Sequence, residues 1–548
     1  MSRPEPAPAS RPVLYRNGSV YTAADPFASA MLVDGDTVAW VGSEQAATSI
    51  ADASMEVIDL HGALVAPGFV DSHSHLTETG IALDSLRLGG VASARELLDL
   101  VAAAPGDGPV LGHGWDETAW ADTTLPTAGE LERAAAGRPV YLSRIDVHSA
   151  LVSTSLAQAA GLSGCEGYDG GARVTRSAHA AARQATRRLP EHVLRAHQSR
   201  ALFEAAANGY VALAEMGAPH IGGADDLRLA AGWNNGDASP AVPEVLAYWG
   251  ELASSEEHAR SLLEQFGSGV RGLAGDLNID GSIGSRTAAL RSGYTDEPQE
   301  QGNLYLSVDD AAGHLAACSL AGIQGGFHII GDAGLDAALS ALDLAAEHVG
   351  EQRVRAAGHR FEHVEMPDAD AIERLARYAV TVSAQPGFDA AWGGPGGVYE
   401  QRLGERARSM NPFASLYSAG VPVCFGSDSP VTPLRPWSSV RACLQHHNQA
   451  QQISARAAFL GHTRAGWRAA RYRNPMAGQL VPGAPASFAV WEVEELMVQV
   501  SDGRVQSWST DPRARTPLLP ALDTGSDPVC LQTVRDGVEL FSSPGLRS

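Results

Sequence analysis

Residues 68–75 read GFVDSHSH, a short apolar run that ends in two histidines one residue apart. On a strand, His73 and His75 point to the same face, so both imidazoles can reach one ion. Two surface histidines would look the same, and a metal site needs further ligands. Three later segments offer them: GGFHIIGD around His328, RFEHVEM around His363 and FGSDSPV around Asp428. Taken singly, His328 reads equally as a core histidine bonded to a carbonyl, His363 as a cap, and Asp428 as an Asx-turn or N-cap. Together, HxH, His, His and Asp at the ends of apolar runs make a nitrogen-and-oxygen set for a divalent metal. Zinc is the first expectation, and iron, manganese or nickel fit too.

That set predicts metal-assisted hydrolysis, because a divalent ion lowers the pKa of water and polarises a carbonyl. Asp428 is the expected general base, passing its proton to a leaving nitrogen. His363, rather than His328, is expected to stabilise the oxyanion. Glu215, at the end of the run YVALAEMG, is a further carboxylate that could bridge two ions or hold a ligand histidine by a hydrogen bond.

Around these residues, from 67 to 475, strand-like runs such as VTVSAQP and VPVCFGSDSP alternate with helical stretches such as DAALSALDLAAEHVG and DADAIERLARYA. About eight strands can be proposed, an α/β pattern that predicts repeated βα units and a parallel sheet. Periodicity does not separate an open sheet from a (β/α)8 TIM-like barrel. Metal-type residues at the C-terminal ends of strands favour the barrel. Residues 13–66 read as short strands with turns at Asn17-Gly18 and Asp34-Gly35. Residues 476–548 turn strand-like again, with a turn at Asp502-Gly503. The two ends are expected to form one small composite β-sandwich domain, with 1–12 as a disordered Pro/Ala-rich lead-in.

Composition sets limits. A formal net charge of -23 over 548 residues argues against a nucleic-acid partner. Five scattered cysteines without a CxxC read as reduced thiols, and with no signal-peptide core or apolar span the expectation is a cytoplasmic protein with no membrane contact. A homodimer is a base-rate expectation. All 40 basic residues are arginine. No lysine is therefore available as a Schiff base, a general base or a carbamylated metal bridge.

The chain resembles the YtcJ-like branch of the amidohydrolase superfamily (amidohydrolase family 3) over residues 14 to 500. The matching segments include PGFVDSHSHL, GHGWDETAW, SRIDVHS, DGSIGSRTAAL, FHIIGD, FEHVEM and PFASLYSAGVPVCFGSDSPV. The resemblance implies a (β/α)8-type barrel with a β-sandwich. It also implies hydrolysis of a carbon–nitrogen bond in a small molecule, such as an N-substituted formamide. His73, His75, His328, His363 and Asp428 fall on the family's metal and catalytic positions. Trp115, Asp116, Arg144, Asp146, His148 and the loop from Asp280 to Arg286 fall on segments expected at the pocket mouth. Many relatives have a bridging lysine four residues before the DGS aspartate; here that residue is Asp276. One ion is therefore expected, with a pair bridged by Asp276 or Glu215 as the alternative. Ser153-Thr154 and Ala486-Ser487 also depart from the family's usual Asn-Ser and Ala-Asp. A deaminase of a cyclic amidine and an inactive scaffold are the competing functions.

Overall fold

The computed structural model describes residues 11–235, 241–499, 508–509, 517–523 and 526–546. Most of the predicted lead-in and the Asp502-Gly503 turn lie outside them.

The central feature is a set of short parallel strands. Phe69–Ser74 pairs with Tyr210–Gly217, which pairs in turn with Glu244–Val245 and Tyr248–Trp249. Gly272–Leu273 pairs with Gln324–Ile329, followed by Arg360–His363, Thr381–Ala384 and Val423–Phe425. Single parallel bridges, Ala247 to Val270 and Ser74 to Ser429, join the third strand position to the fourth and the last to the first. The order of parallel links thus returns to its starting strand.

These strands are apolar because both faces are covered. Phe69–Ser74, Tyr210–Gly217 and Gln324–Ile329 are buried at every residue. Helices pack around them by their apolar stripes. In Ala369–Arg377, Ala371, Ile372 and Leu375 face inward, and Asp368 caps the start by accepting from Ala371 N at 2.9 Å. Asp332–Val349 buries Leu335, Leu339 and Leu342 at helical spacing.

Within the span 67–475 lies a five-stranded sheet that strand and helix alternation did not separate. Its order is Arg173–Thr175, Ser149–Val152, Val140–Arg144, Val110–Trp115 and Leu86–Arg87. It has its own core of Leu88, Val101, Trp115, Leu131, Leu142 and Leu151.

The two chain ends share a sheet. Leu64–Pro67 pairs antiparallel with Phe488–Glu492, and the latter with Val529–Arg535. Val33, Val65, Phe488, Val490 and Val534 belong to one buried cluster. Asp34-Gly35 closes a hairpin between Ala30–Asp34 and Thr37–Gly42, as predicted. Asn17-Gly18 does not close one. It carries the chain from Val13–Arg16 in one sheet to Ser19–Val20 in another. Asn17 sits at φ 60°, and a Cβ on Gly18 would lie 2.5 Å from the Ala63 carbonyl oxygen, so the crossing needs a glycine there. Among the described residues no helix is long and apolar enough to cross a membrane.

Candidate metal centre

The C-terminal ends of the parallel strands bring together His73, His75, Asp276, His328, His363 and Asp428, all of them buried. Three overlapping triads have ligand atoms within 4.8 Å of one another: His73/His75/Asp276, His73/His363/Asp428 and Asp276/His328/His363. His73 Nε2 lies 3.4 Å from Asp276 and 3.5 Å from Asp428. His75 Nε2 lies 3.3 Å and 3.2 Å from the same two carboxylates. Tetrahedral bonds of about 2.0–2.2 Å put ligand atoms roughly 3.3–3.6 Å apart. The spacing of these donors therefore fits a first-row divalent ion. His328 Nδ1 stands further off, 3.8 Å from Asp276.

Several buried polar atoms here lack a hydrogen-bond partner: His73 Nε2, His363 Nε2 and Asp276 Oδ1. Buried orphan atoms are costly, and their convergence is what a cation would relieve. The opposite edge is tied down in three of the rings, while His75 Nδ1 is buried without a partner. His73 Nδ1 lies 2.8 Å from Glu362 Oε2, His363 Nδ1 2.7 Å from Gln385 Oε1, and His328 Nε2 3.1 Å from the Gly281 carbonyl. Such outer bonds fix the tautomer and aim the free nitrogen inward. Gln385 donates its own amide to Ser383 O at 3.2 Å, which leaves Oε1 to accept from His363. His363 therefore presents a lone pair at Nε2. That suits a ligand, and it corrects the expectation that His363 donates to an oxyanion.

Electrostatics point the same way. Burial opposes charge on His73, yet Asp428, Asp276 and Glu362 hold its pKa well above the ordinary imidazole value. His75 is raised by Asp276 and Asp428 against the same burial penalty. Burial would raise Asp276, but the neighbouring histidines hold it well below the usual carboxylate range. Burial, then His328 and His73, push His363 well below normal. The carboxylates thus demand positive charge, which protons supply when no ion is bound and a divalent ion would replace.

The backbone is shaped for this. His363, Val364 and Asp428 have φ of 71°, 50° and 53°, a region that non-glycine residues, and β-branched ones above all, seldom enter. Bonds across the first and last strands hold the turn: Asp428 N donates to His73 O at 2.8 Å, and His75 N to Ser429 O at 3.0 Å. Asp71 accepts from Ser427 N at 2.9 Å, Ser427 Oγ at 2.6 Å and His73 N at 3.1 Å. Gly426 leaves no room for a side chain, since a Cβ would stand 2.5 Å from His73 N.

Sequence reading missed Glu362, Arg360, Gln385 and Asp71. Arg360, buried, clamps Glu362 with bonds of 2.6 and 2.9 Å and reaches Ser72 O at 2.7 Å. Burial opposes it, but Arg360 and His73 hold the Glu362 carboxyl down at about 2. The available signal was the acidic residue beside His363 in RFEHVEM.

The other expected residues divide. A cavity of about 610 Å³ opens beside His75 and Asp276 and is also lined by His148 and His220. A second, of about 20 Å³, lies against His328 and Asp428 and is lined by Arg144, Asp146 and His148. The His148 ring is 5.2 Å from that of His328. Trp115, Asp116, Asp280 and Arg286 line neither cavity, which corrects their expected place. Trp115 is wholly buried in the inserted sheet's core and donates Nε1–H to Leu142 O at 2.8 Å. Asp116 accepts from Arg144 at 2.7 Å and caps a short turn through Thr118 N. Asp280 accepts from Ile330, Gly331 and Ala289 N–H groups at 2.7–2.9 Å, tying its loop to the strand of His328. Arg286 pairs with Asp296 at 2.7 Å. Glu215 stands outside the three triads and accepts from Leu76 N at 2.6 Å. Burial raises its carboxyl to about 8.

The model described as "Amidohydrolase family" matches residues 56–541. The amidohydrolase-type protein YtcJ of Bacillus subtilis (strain 168) is 24% identical over 476 residues, covering 80% of this chain and 84% of YtcJ. An N-substituted formamide deformylase of Arthrobacter pascens is 23% identical over 465 residues, covering 78% and 83%. An uncharacterized metal-dependent hydrolase of Pyrococcus furiosus is similar in structure, with TM-score 0.68, 26% identity and coverage of 87% of this chain and 98% of that one.

Proposed function

The chain belongs to the amidohydrolase family, a hydrolase of carbon–nitrogen bonds, and we propose that it hydrolyses a small-molecule amide at the His73/His75/Asp428 centre. The observation that carries this reading is the set of 3.2–3.5 Å separations between two histidine nitrogens and two carboxylates, with orphan donor atoms facing inward. Under it, the parallel strands at 67–475 form a (β/α)8 barrel, and 13–66 with 476–548 form a composite β-sandwich.

His73, His75, Asp276 and Asp428 would hold one ion, zinc first. His328 and His363, with Asp276 shared, would hold a second if there is one. A bound ion supplies a water of lowered pKa and an electrophile for the carbonyl. Asp428 takes a proton from the attacking water and returns it to the leaving nitrogen, for which its place on the lining of the small cavity suits it. Glu362 keeps His73 in one tautomer, and Gln385 does the same for His363. The resemblance to a formamide deformylase makes N-substituted formamides the first substrates to try.

The test is metal per chain by plasma mass spectrometry, with turnover of wild type and Asp428→Asn on formamides. One zinc per chain, amine plus formate as products and no turnover in the variant are expected. Full activity in the variant refutes the role of Asp428, and ammonia as the product moves the reading to a deaminase.

A further inference from the structure

The large cavity has one wall from the parallel strands, with His75 and Asp276, and the other from the segment after the inserted sheet, with Arg176, His179 and Arg183. Acidic residues outnumber arginines in this chain by 63 to 40, so a buried or half-buried arginine should easily find a carboxylate. The other charged groups on the wall have found partners. Glu78 is held by Arg187 at 2.7 Å, Glu166 by Arg176 at 2.9 Å, and Glu251 accepts the Trp249 indole N–H at 2.7 Å. Arg183 has none. Among the described residues no carboxylate lies within 4.0 Å of its guanidinium. Its Nη2 donates to the Val147 carbonyl at 2.6 Å, and its buried Nε has no hydrogen-bond partner.

Its position gives this meaning. Val147 sits at φ 52° and precedes His148, whose ring lies 5.2 Å from His328 in the metal centre. The bond to Val147 O thus pins a guanidinium one histidine away from the reacting atoms. Ile221, Leu252, Leu277 and Tyr305 give the wall an apolar part, beside the polar Ser177, His220 and Asn278. A planar, permanently charged fork with spare donors is built to take a carboxylate.

Resting on the hydrolase reading above, we propose that the substrate is an amide that carries a carboxylate a few bonds from the scissile carbon, and that Arg183 binds that carboxylate. Water adds to the carbonyl carbon, the C–N bond breaks, and the nitrogen leaves with the proton as an amine; the distal carboxylate is unchanged throughout. Arg183 is a specificity residue and takes no part in the bond changes.

The test compares N-formylphenylalanine with its methyl ester on wild type, Arg183→Gln and Arg183→Lys. Wild type is expected to favour the acid in kcat/KM by on the order of 10- to 100-fold, the range of a hydrogen bond to a charged partner. Arg183→Gln should lose that preference through KM for the acid, with the ester changed by less than about 3-fold, and Arg183→Lys should recover part of it. An equal loss on both substrates overturns the proposal in favour of a structural role at the Val147 turn. Equal use of acid and ester by wild type overturns it too. Calorimetric binding of 3-phenylpropionate, which has no bond to hydrolyse, separates this inference from the function. Binding weakened by Arg183→Gln supports it even if neither formamide is turned over, and binding untouched by that change refutes it.

Discussion

Replacing Glu362 by glutamine tests the idea that the metal ligands are aimed from behind. Glu362 is fully buried between His73 and Arg360, itself 1% exposed. It receives one bond from His73 Nδ1 and two from the guanidinium. A glutamine has one acceptor where three donors converge. If its oxygen turns to His73, its NH2 faces Arg360, and if it turns to Arg360, the NH2 faces His73. Either way the buried cation has lost its counter-charge, a change that costs about 3–5 kcal/mol. Holding the carboxyl near 2 instead of in its ordinary range is worth about 3 kcal/mol at neutral pH, which agrees. Metal affinity should fall by roughly 10- to 100-fold, the usual effect of removing an outer partner of a ligand histidine. Competition against a chromophoric chelator gives the affinity, and circular dichroism of the metal-loaded protein gives the unfolding midpoint. Wild-type affinity with an unchanged midpoint would show that His73 needs no support, and the reasoning would fail.

Gly426→Ala places a Cβ 2.5 Å from His73 N and 2.8 Å from Asp71 Oδ1, so it should cost about 1–3 kcal/mol and strip metal from the protein; full metal content and an unchanged melt would contradict this. Burial raises Glu78 and Glu362, but Arg187 and Arg360 respectively hold both near 2. Their stabilisation is complete above the ordinary carboxylate range, declines below it and is gone as pH falls through about 2. The unfolding midpoint should drop between pH 5 and 2.5, and a flat profile would count against both ion pairs. Trp115→Phe removes a buried indole and its bond to Leu142, so stability should fall by about 1–3 kcal/mol while kcat/KM stays within about twofold. A large loss of kcat/KM with intact stability would return Trp115 to the pocket.

Much of the candidate cluster was legible because each member sits where an apolar run stops. His73, His328 and His363 lie in strands and Asp428 just beyond one, and a strand end is visible in sequence. Asp276 stood out only through its place ahead of DGS. The supports were not legible. Glu362 meets His73 across 289 residues of chain, and nothing in local pattern marks that pairing. Trp115 and Asp116 misled for the opposite reason. A distinctive motif near a site reads as part of it, whereas this tryptophan fills the core of an inserted sheet. That sheet was itself hidden, since strands and helices alternate there as they do in the surrounding units. At Asn17-Gly18 the turn itself was legible but not its destination, because turn chemistry reports local curvature and not which sheet receives the next strand.

The bonds between Asp71 and Ser427 join residues 356 apart, and with them the first histidines of the centre meet its last aspartate. At about 5–20 residues per second, the ribosome delivers the two ends of that bond roughly 20–70 s apart. Until residues 427–429 are made, the strand that carries HSH lacks the partner of Asp71 and the backbone bonds from Asp428 to His73 and from His75 to Ser429, so the proposed centre cannot close. On the proposed reading, an ion would be chosen only after that closure, when imidazoles and carboxylates from distant parts of the chain act together.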